Sequence, residues 1–173
     1  MSHYHYRTTY GNKNHAEIQA LEPKVGDTVF NTDIFQREFC INKGGAKVWT
    51  NGQCVVMSKD GHGFQRGDCL TYDSSTGLTK VNNTSTDVEN GFGVVHRAYA
   101  NVVVVAITGI YPVKFDEETS KGEYGQLQSS PAGTCNGTTT SSKGTIGQIM
   151  ETTTQKNGDI RLVKVFLTYC ERD

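Results

Sequence analysis

From residue 24 onward, short apolar runs alternate with clusters of Gly, Asn, Thr and Ser, and few of the runs carry a helical period. Val25-Gly26-Asp27-Thr28-Val29-Phe30 reads as a strand entered through a turn. Glu38 to Ile41, the turn Asn42-Lys43-Gly44-Gly45, and Ala46 to Thr50 read as a hairpin. Asn51-Gly52, a strong two-residue hairpin signal, leads into Gln53 to Met57. Val102 to Ile107 is apolar throughout and predicts a strand covered on both faces, whereas Arg161 to Leu167 is mixed and predicts one face open to solvent or a partner. The only helical signal is Asn14 to Leu21, two turns at most, stopped before Pro23.

The pattern repeats. Arg66-Gly67-Asp68, Ser74-Ser75, a Thr/Asn stretch, Gly91-Phe92-Gly93-Val94-Val95 and Val102 to Ile107 are followed by a second series. That series is Lys121-Gly122-Glu123, Ser129-Ser130, Thr138 to Ser142, Gly144-Thr145-Ile146-Gly147 and Ile160 to Leu167. The spacing holds across the first landmarks (122 − 67 = 55; 129 − 74 = 55; 147 − 93 = 54) and slips to about 160 − 102 = 58 at the last strand, where Gln155-Lys156-Asn157-Gly158 lengthens the loop before it. An internal duplication follows, with repeats at about 66–115 and 121–167. Two copies are too few for an open solenoid, which needs about three repeats. They can instead close into a barrel or sandwich and hide their edges.

The predicted fold class is therefore all-β: a small β-barrel or sandwich built from an internal duplication, with an N-terminal extended arm and a hairpin region. The expected divisions are an arm over 1–22, a β-hairpin region over 23–60 and the duplicated barrel domain over 61–173. The arm reading rests on a zone with few aliphatic residues, in which His3, His5, His15, Tyr4, Tyr6 and Tyr10 are interleaved with polar residues. Such a segment is expected to order on a neighbouring subunit. Tyr4, Tyr6, Tyr10 and Trp49, the only Trp, are the candidate interface residues.

Composition agrees with strands. The chain has 173 residues, 35% of them hydrophobic, with 19 Gly and 3 Pro. Plentiful Thr and Val are β-branched and favour pleated structure. The apolar content is thin for a self-contained monomer, so some apolar surface is expected to close on oligomerising. A formal charge of −1 gives no basic footprint for nucleic acid. No apolar run approaches the roughly 18 residues of a spanning helix, and the N-terminus carries no secretory pattern. Cys40, Cys54, Cys69, Cys135 and Cys170 are odd in number and include no C-x-x-C pair. They read as free, buried thiols.

The strand-and-glycine pattern resembles the capsid cement, or head decoration, proteins of tailed bacteriophages. The residues that carry the likeness are Gly67-Asp68, Phe92-Gly93-Val94-Val95, Val102 to Val105 and Gly109-Ile110-Tyr111-Pro112-Val113. A weaker second half ends at Ile146-Gly147-Gln148-Ile149 and Val163-Lys164-Val165. The resemblance spans about Gly52 to Leu167. It implies a homotrimer on the capsid exterior, made in the host cytoplasm, whose partner is the major capsid protein and which has no catalytic activity.

Candidate chemistry is sparse. There is no Gly-x-Ser-x-Gly, phosphate loop or His-Glu-x-x-His pattern. Asp116-Glu117-Glu118 lacks the ligand spacing of a calcium loop and reads as a solvated turn. His62 and His96 stand beside no paired nucleophile, and Arg66-Gly67-Asp68 matches an integrin tripeptide only in letters, since Lys121-Gly122-Glu123 fills the equivalent turn. No catalytic residue, cofactor or metal is expected. The expected function is a structural virion protein that stabilises an assembled shell. The alternatives are a head-fibre or tail accessory binding a receptor or glycan, and a small β-rich enzyme.

Overall fold

Thr, Val, Ile and Phe spaced two apart, with Gly at the bends, give strands nearly everywhere in the computed structural model. It describes residues 7–43, 45–58, 63–73, 77–80, 91–128, 131–152 and 159–166. The chain forms two units, 1–52 and 53–173.

Unit 1 is a four-stranded sheet in the order β1-β2-β3-β4. Its elements are β1 (Thr9–Lys13), α1 (His15–Gln19), β2 (Thr28–Asn31), β3 (Gln36–Lys43) and β4 (Ala46–Thr50). β1 runs parallel to β2, and the other pairs are antiparallel. The helix starts where the sequence supplies a reciprocal cap: Asn14 Oδ1 accepts from Glu17 N–H at 2.9 Å, and Glu17 Oε2 accepts from Asn14 N–H at 2.8 Å. Ile18, its buried residue, packs with Val29, Cys40 and Trp49.

This corrects the expected arm. Residues 9–19 are the edge strand and helix of unit 1, because Tyr10, Ile18 and Leu21 supply apolar contacts that its core uses. The predicted hairpin of β3 and β4 is present, with Cys40 opposite Trp49. Asn51-Gly52 is not a hairpin turn. It lies where the units divide, and the strand after it pairs in unit 2, so the division falls after Gly52 rather than near residue 60.

Unit 2 contains two strand sets. The first comprises β5 (Cys54–Ser58), β6 (Cys69–Asp73), β7 (Gly77–Lys80), β8 (Gly91–Ala98) and β9 (Val102–Ala106), in the order β5-β9-β8-β6-β7. The second comprises β10 (Thr108–Phe115), β11 (Tyr124–Leu127), β12 (Cys135–Thr138), β13 (Thr145–Ile149) and β14 (Asp159–Phe166). It has the equivalent neighbours and closes into a five-stranded barrel through β10 and β12. β9 is buried along its whole length between β5 and β8, as its apolar run demands. In β14, Val163 and Val165 are buried and Leu162 is half-buried.

The two sets share registers. Leu70 faces Gly93 and Thr71 faces Gly91, skipping Phe92. Gly125 faces Gly147 and Gln126 faces Thr145, skipping Ile146. Val95 lies opposite Val105, and Ile149 opposite Val163. The loop stretches 74–76, 81–90, 129–130 and 153–158, which include several landmarks of the sequence repeat, lie outside the described residues.

One turn occurs three times. In Lys24 to Asp27, Gln65 to Asp68 and Ser120 to Glu123, the third residue is Gly, with φ of 92°, 87° and 95°. That backbone requires Gly at the third position of a type II turn. The acid caps each turn by accepting from the first residue's N–H, at 2.8, 2.7 and 2.7 Å. Each Gly N–H then donates to a carbonyl on the neighbouring strand, that of Cys40, Val95 or Ile149.

Candidate interaction surface

Trp49 is only 2% exposed and belongs to the core of unit 1. Tyr10 meets it edge-on, with ring centroids 6.0 Å apart at 81°. The Tyr10 hydroxyl donates to Asp27 Oδ2 at 3.4 Å. Burial, the nearby Asp27 carboxylate and that hydrogen bond push the Tyr10 phenol up from its ordinary value. Burial tends to raise the Asp27 carboxyl, but donation from the Lys24 and Thr8 amides and from Tyr10 outweighs it and holds the carboxyl low. Of the four candidate interface residues, these two come together inside unit 1. Tyr4 and Tyr6 lie outside the described residues.

The exposed large apolar side chains of unit 1 are others: Val25, Phe35 at 71% and Phe39 at 40%. All three belong to the β2–β3 hairpin or the turn that leads into it. Phe35 is the most unusual. Its φ is 52°, and it is the one non-glycine residue with positive φ among the described residues. A bulky residue there is strained and persists only where its surroundings over-determine it.

The surroundings are visible. Asn31 is fully buried, accepts from Asp33 N–H at 3.0 Å and donates to Glu38 Oε1 at 2.6 Å. Asp33 in turn accepts from His15 N–H at 3.1 Å, tying the loop to the start of α1. Ile34 points inward at 1% exposure. With both flanks fixed, the next side chain is turned into solvent. On the outward face of the same hairpin, Phe30 faces Arg37 and Thr28 faces Phe39. The result is an outward face carrying Phe30, Arg37 and Phe39, with Phe35 exposed at the turn of the same hairpin.

Sequence reasoning missed Phe35 and Phe39 because it took aromatic interleaving near the N-terminus as the mark of an interface. The available signal was Thr32-Asp33-Ile34-Phe35, a hairpin loop without the Gly or Asn that positive φ favours.

The remaining candidate groups do not converge. Glu117 and Glu118 are exposed. His96 is buried edge-on against Tyr111, centroids 5.1 Å apart. Arg66-Gly67-Asp68 is the second of the three turns, and Asp68 accepts from Lys114 Nζ at 2.7 Å. Among the described residues, no cluster of three metal-ligating side chains occurs, and no helix is long and apolar enough to cross a membrane. Comparison with protein-family models, with curated proteins and with solved structures gave no match to this chain.

Proposed function

We propose that this chain is a structural virion protein of the capsid cement, or head decoration, kind. It binds the outer surface of an assembled phage shell through the major capsid protein and opposes rupture of that shell. The role is binding and not catalysis. Because the ligand is the assembled state, its binding energy adds to the stability of that state by mass action. A homotrimer would present three contacts at once, and after the first, the others form intramolecularly.

The observation that carries this reading is Phe35, an aromatic ring 71% exposed on a backbone with φ of 52°. A fold that strains its backbone to keep a large apolar group in water has a use for that group outside itself. Phe39, on the outward face of the same hairpin, and Tyr4 and Tyr6, ahead of β1, are proposed as further contacts. For unit 2 we read the two strand sets as descendants of one duplicated module. The common strand order and the common skipped residue, Phe92 in one set and Ile146 in the other, support that reading.

The test is co-sedimentation of the purified chain with assembled shells and, separately, with unassembled major capsid subunits. Binding to shells alone is expected, and failure to bind shells would remove the cement role. Phe35→Gly should hold or raise the unfolding midpoint, because Gly relieves the positive φ, while weakening shell binding at least about tenfold. Equal decoration by that variant would remove Phe35 from the contact.

A further inference from the structure

We propose that Cys69 and Cys135 are a disulfide-forming pair that cross-links the two strand sets of unit 2. Their Sγ atoms lie 3.0 Å apart. That is about one ångström beyond the covalent S–S length of about 2.05 Å. A backbone hydrogen bond ties the two segments together two residues from Cys135: Cys69 N–H donates to the Gly133 carbonyl at 2.9 Å. The remaining gap between the sulfurs is small beside the reach of two cysteine side chains.

The pairing is selective among the described cysteines. Cys54 Sγ is engaged with the Tyr111 hydroxyl at 3.3 Å, and Cys40 Sγ with the Ile41 carbonyl at 3.8 Å. Cys69 begins β6 in the first set, and Cys135 begins β12 in the barrel, 66 positions later. A bond there would close a long loop of the unfolded chain and join strands that the backbone connects only at a distance.

The chemistry needs an oxidant, and a low-molecular-weight disulfide such as oxidised glutathione suffices. One cysteine thiolate attacks it, forming a mixed disulfide and releasing one glutathione thiolate. The second cysteine thiolate attacks the protein sulfur of that mixed disulfide and displaces the second glutathione. The two cysteine sulfurs are oxidised, the glutathione disulfide is reduced to two thiols, and the cysteine protons pass to solvent or to the leaving thiolates. Both cysteines are 0% exposed, and burial pushes the Cys135 thiol well up. Exchange therefore belongs to the folding chain, before the barrel closes, and the completed bond is shielded from reductant.

The experiment refolds the full chain in a glutathione redox buffer, then denatures it in N-ethylmaleimide without reductant and maps its peptides by mass spectrometry. The expected result is one peptide pair linked through Cys69 and Cys135, lighter by two hydrogens, and on the intact folded chain dithiothreitol reduces that bond only when denaturant is added before digestion. Alkylation of both cysteines would overturn the proposal, as would linkage of either to Cys40, Cys54, Cys170 or another chain. A chain carrying Cys40→Ser, Cys54→Ser and Cys170→Ser provides the second measurement. It should still lose both remaining thiols on oxidative refolding, with its thermal midpoint lowered by reduction. Retention of both thiols would overturn the pairing.

Discussion

The two strand sets of unit 2 have the same order and register, yet one is an open sheet and the other a closed barrel. The difference sits at particular side chains. In the barrel, Phe115 ends β10 opposite Cys135 of β12, and its ring lies over Gly125, where an added Cβ would come within 3.3 Å of Phe115 Cζ. In the open sheet the residue matching Gly125 is Leu70, fully buried, packed with Phe64, Val95, Val103 and Val105. The open set fills this position with a side chain from its own strand, Leu70 of β6. The other leaves that strand bare and fills the space with a ring from across the barrel. Strand order is common to both sets, so what separates them at this position is where the bulk is placed.

Phe115→Ala tests this most severely. The ring is fully buried, so truncation should cost about 3–5 kcal/mol in denaturant unfolding and loosen the β10–β12 edge. Hydrogen exchange should report the loss in β12 before β8. Gly125→Leu imports the residue of the open set. It should cost about 1–3 kcal/mol through contact with Phe115 and with Ile146, whose Cγ1 would lie 3.4 Å from the new Cβ. Combining the two should cost less than the sum, because each substitution makes room for the other. Strict additivity would mean that ring and glycine do not exchange volume.

How much of this was legible follows the same division between pattern and partner. Strand runs, the apolar β9, the capped helix and the recurring Gly-acid turn are local, so spacing and residue type reveal them. The turn at Gly26-Asp27 carries the same signature as those at Gly67-Asp68 and Gly122-Glu123, though a search confined to one repeat length passes over it. A closed barrel was expected from the sequence, but not that the second set would close by itself, because a single glycine and a phenylalanine ten residues earlier meet only in space. The arm was misjudged for a related reason: Tyr10, Ile18 and Leu21 are sparse in sequence but converge on Trp49 and Val29. Phe35 leaves no hydrophobic period, and its one trace in the sequence is a hairpin loop, Thr32 to Phe35, that lacks Gly and Asn.

The three turns offer a finer comparison, since one geometry stands in three surroundings. Asp68 is 1% exposed and holds Lys114, whose side chain is 18% exposed. Asp68→Asn leaves that ammonium without its carboxylate and should cost about 1–3 kcal/mol. Glu123 is half-buried and accepts from the Ser120 amide, and Glu123→Gln should cost about 0.5–1 kcal/mol. An equal loss at both would mean that the turn alone, and not what lies against it, sets the contribution.

The smallest effect expected is a pH dependence confined to unit 1, where Trp49, as the only Trp, gives a fluorescence signal specific to that unit. The Asp27 carboxyl is held below its ordinary value in the native state. Its contribution is therefore complete above the unfolded carboxylate pKa of about 3.9 and disappears as the pH falls through the lower native value. Glu17, lowered first by the Asn14 amide and then by Lys13, adds in the same direction. The denaturant midpoint followed by Trp49 should fall on acidification below about pH 5. Asp27→Asn should start lower and lose less with acid, since its amide cannot titrate, while Glu17→Gln should remove only the smaller share. A wild-type midpoint that rises on acidification would mean that Asp27 is favoured in its protonated form, and that desolvation, not the Thr8 and Lys24 amides, governs this copy of the turn.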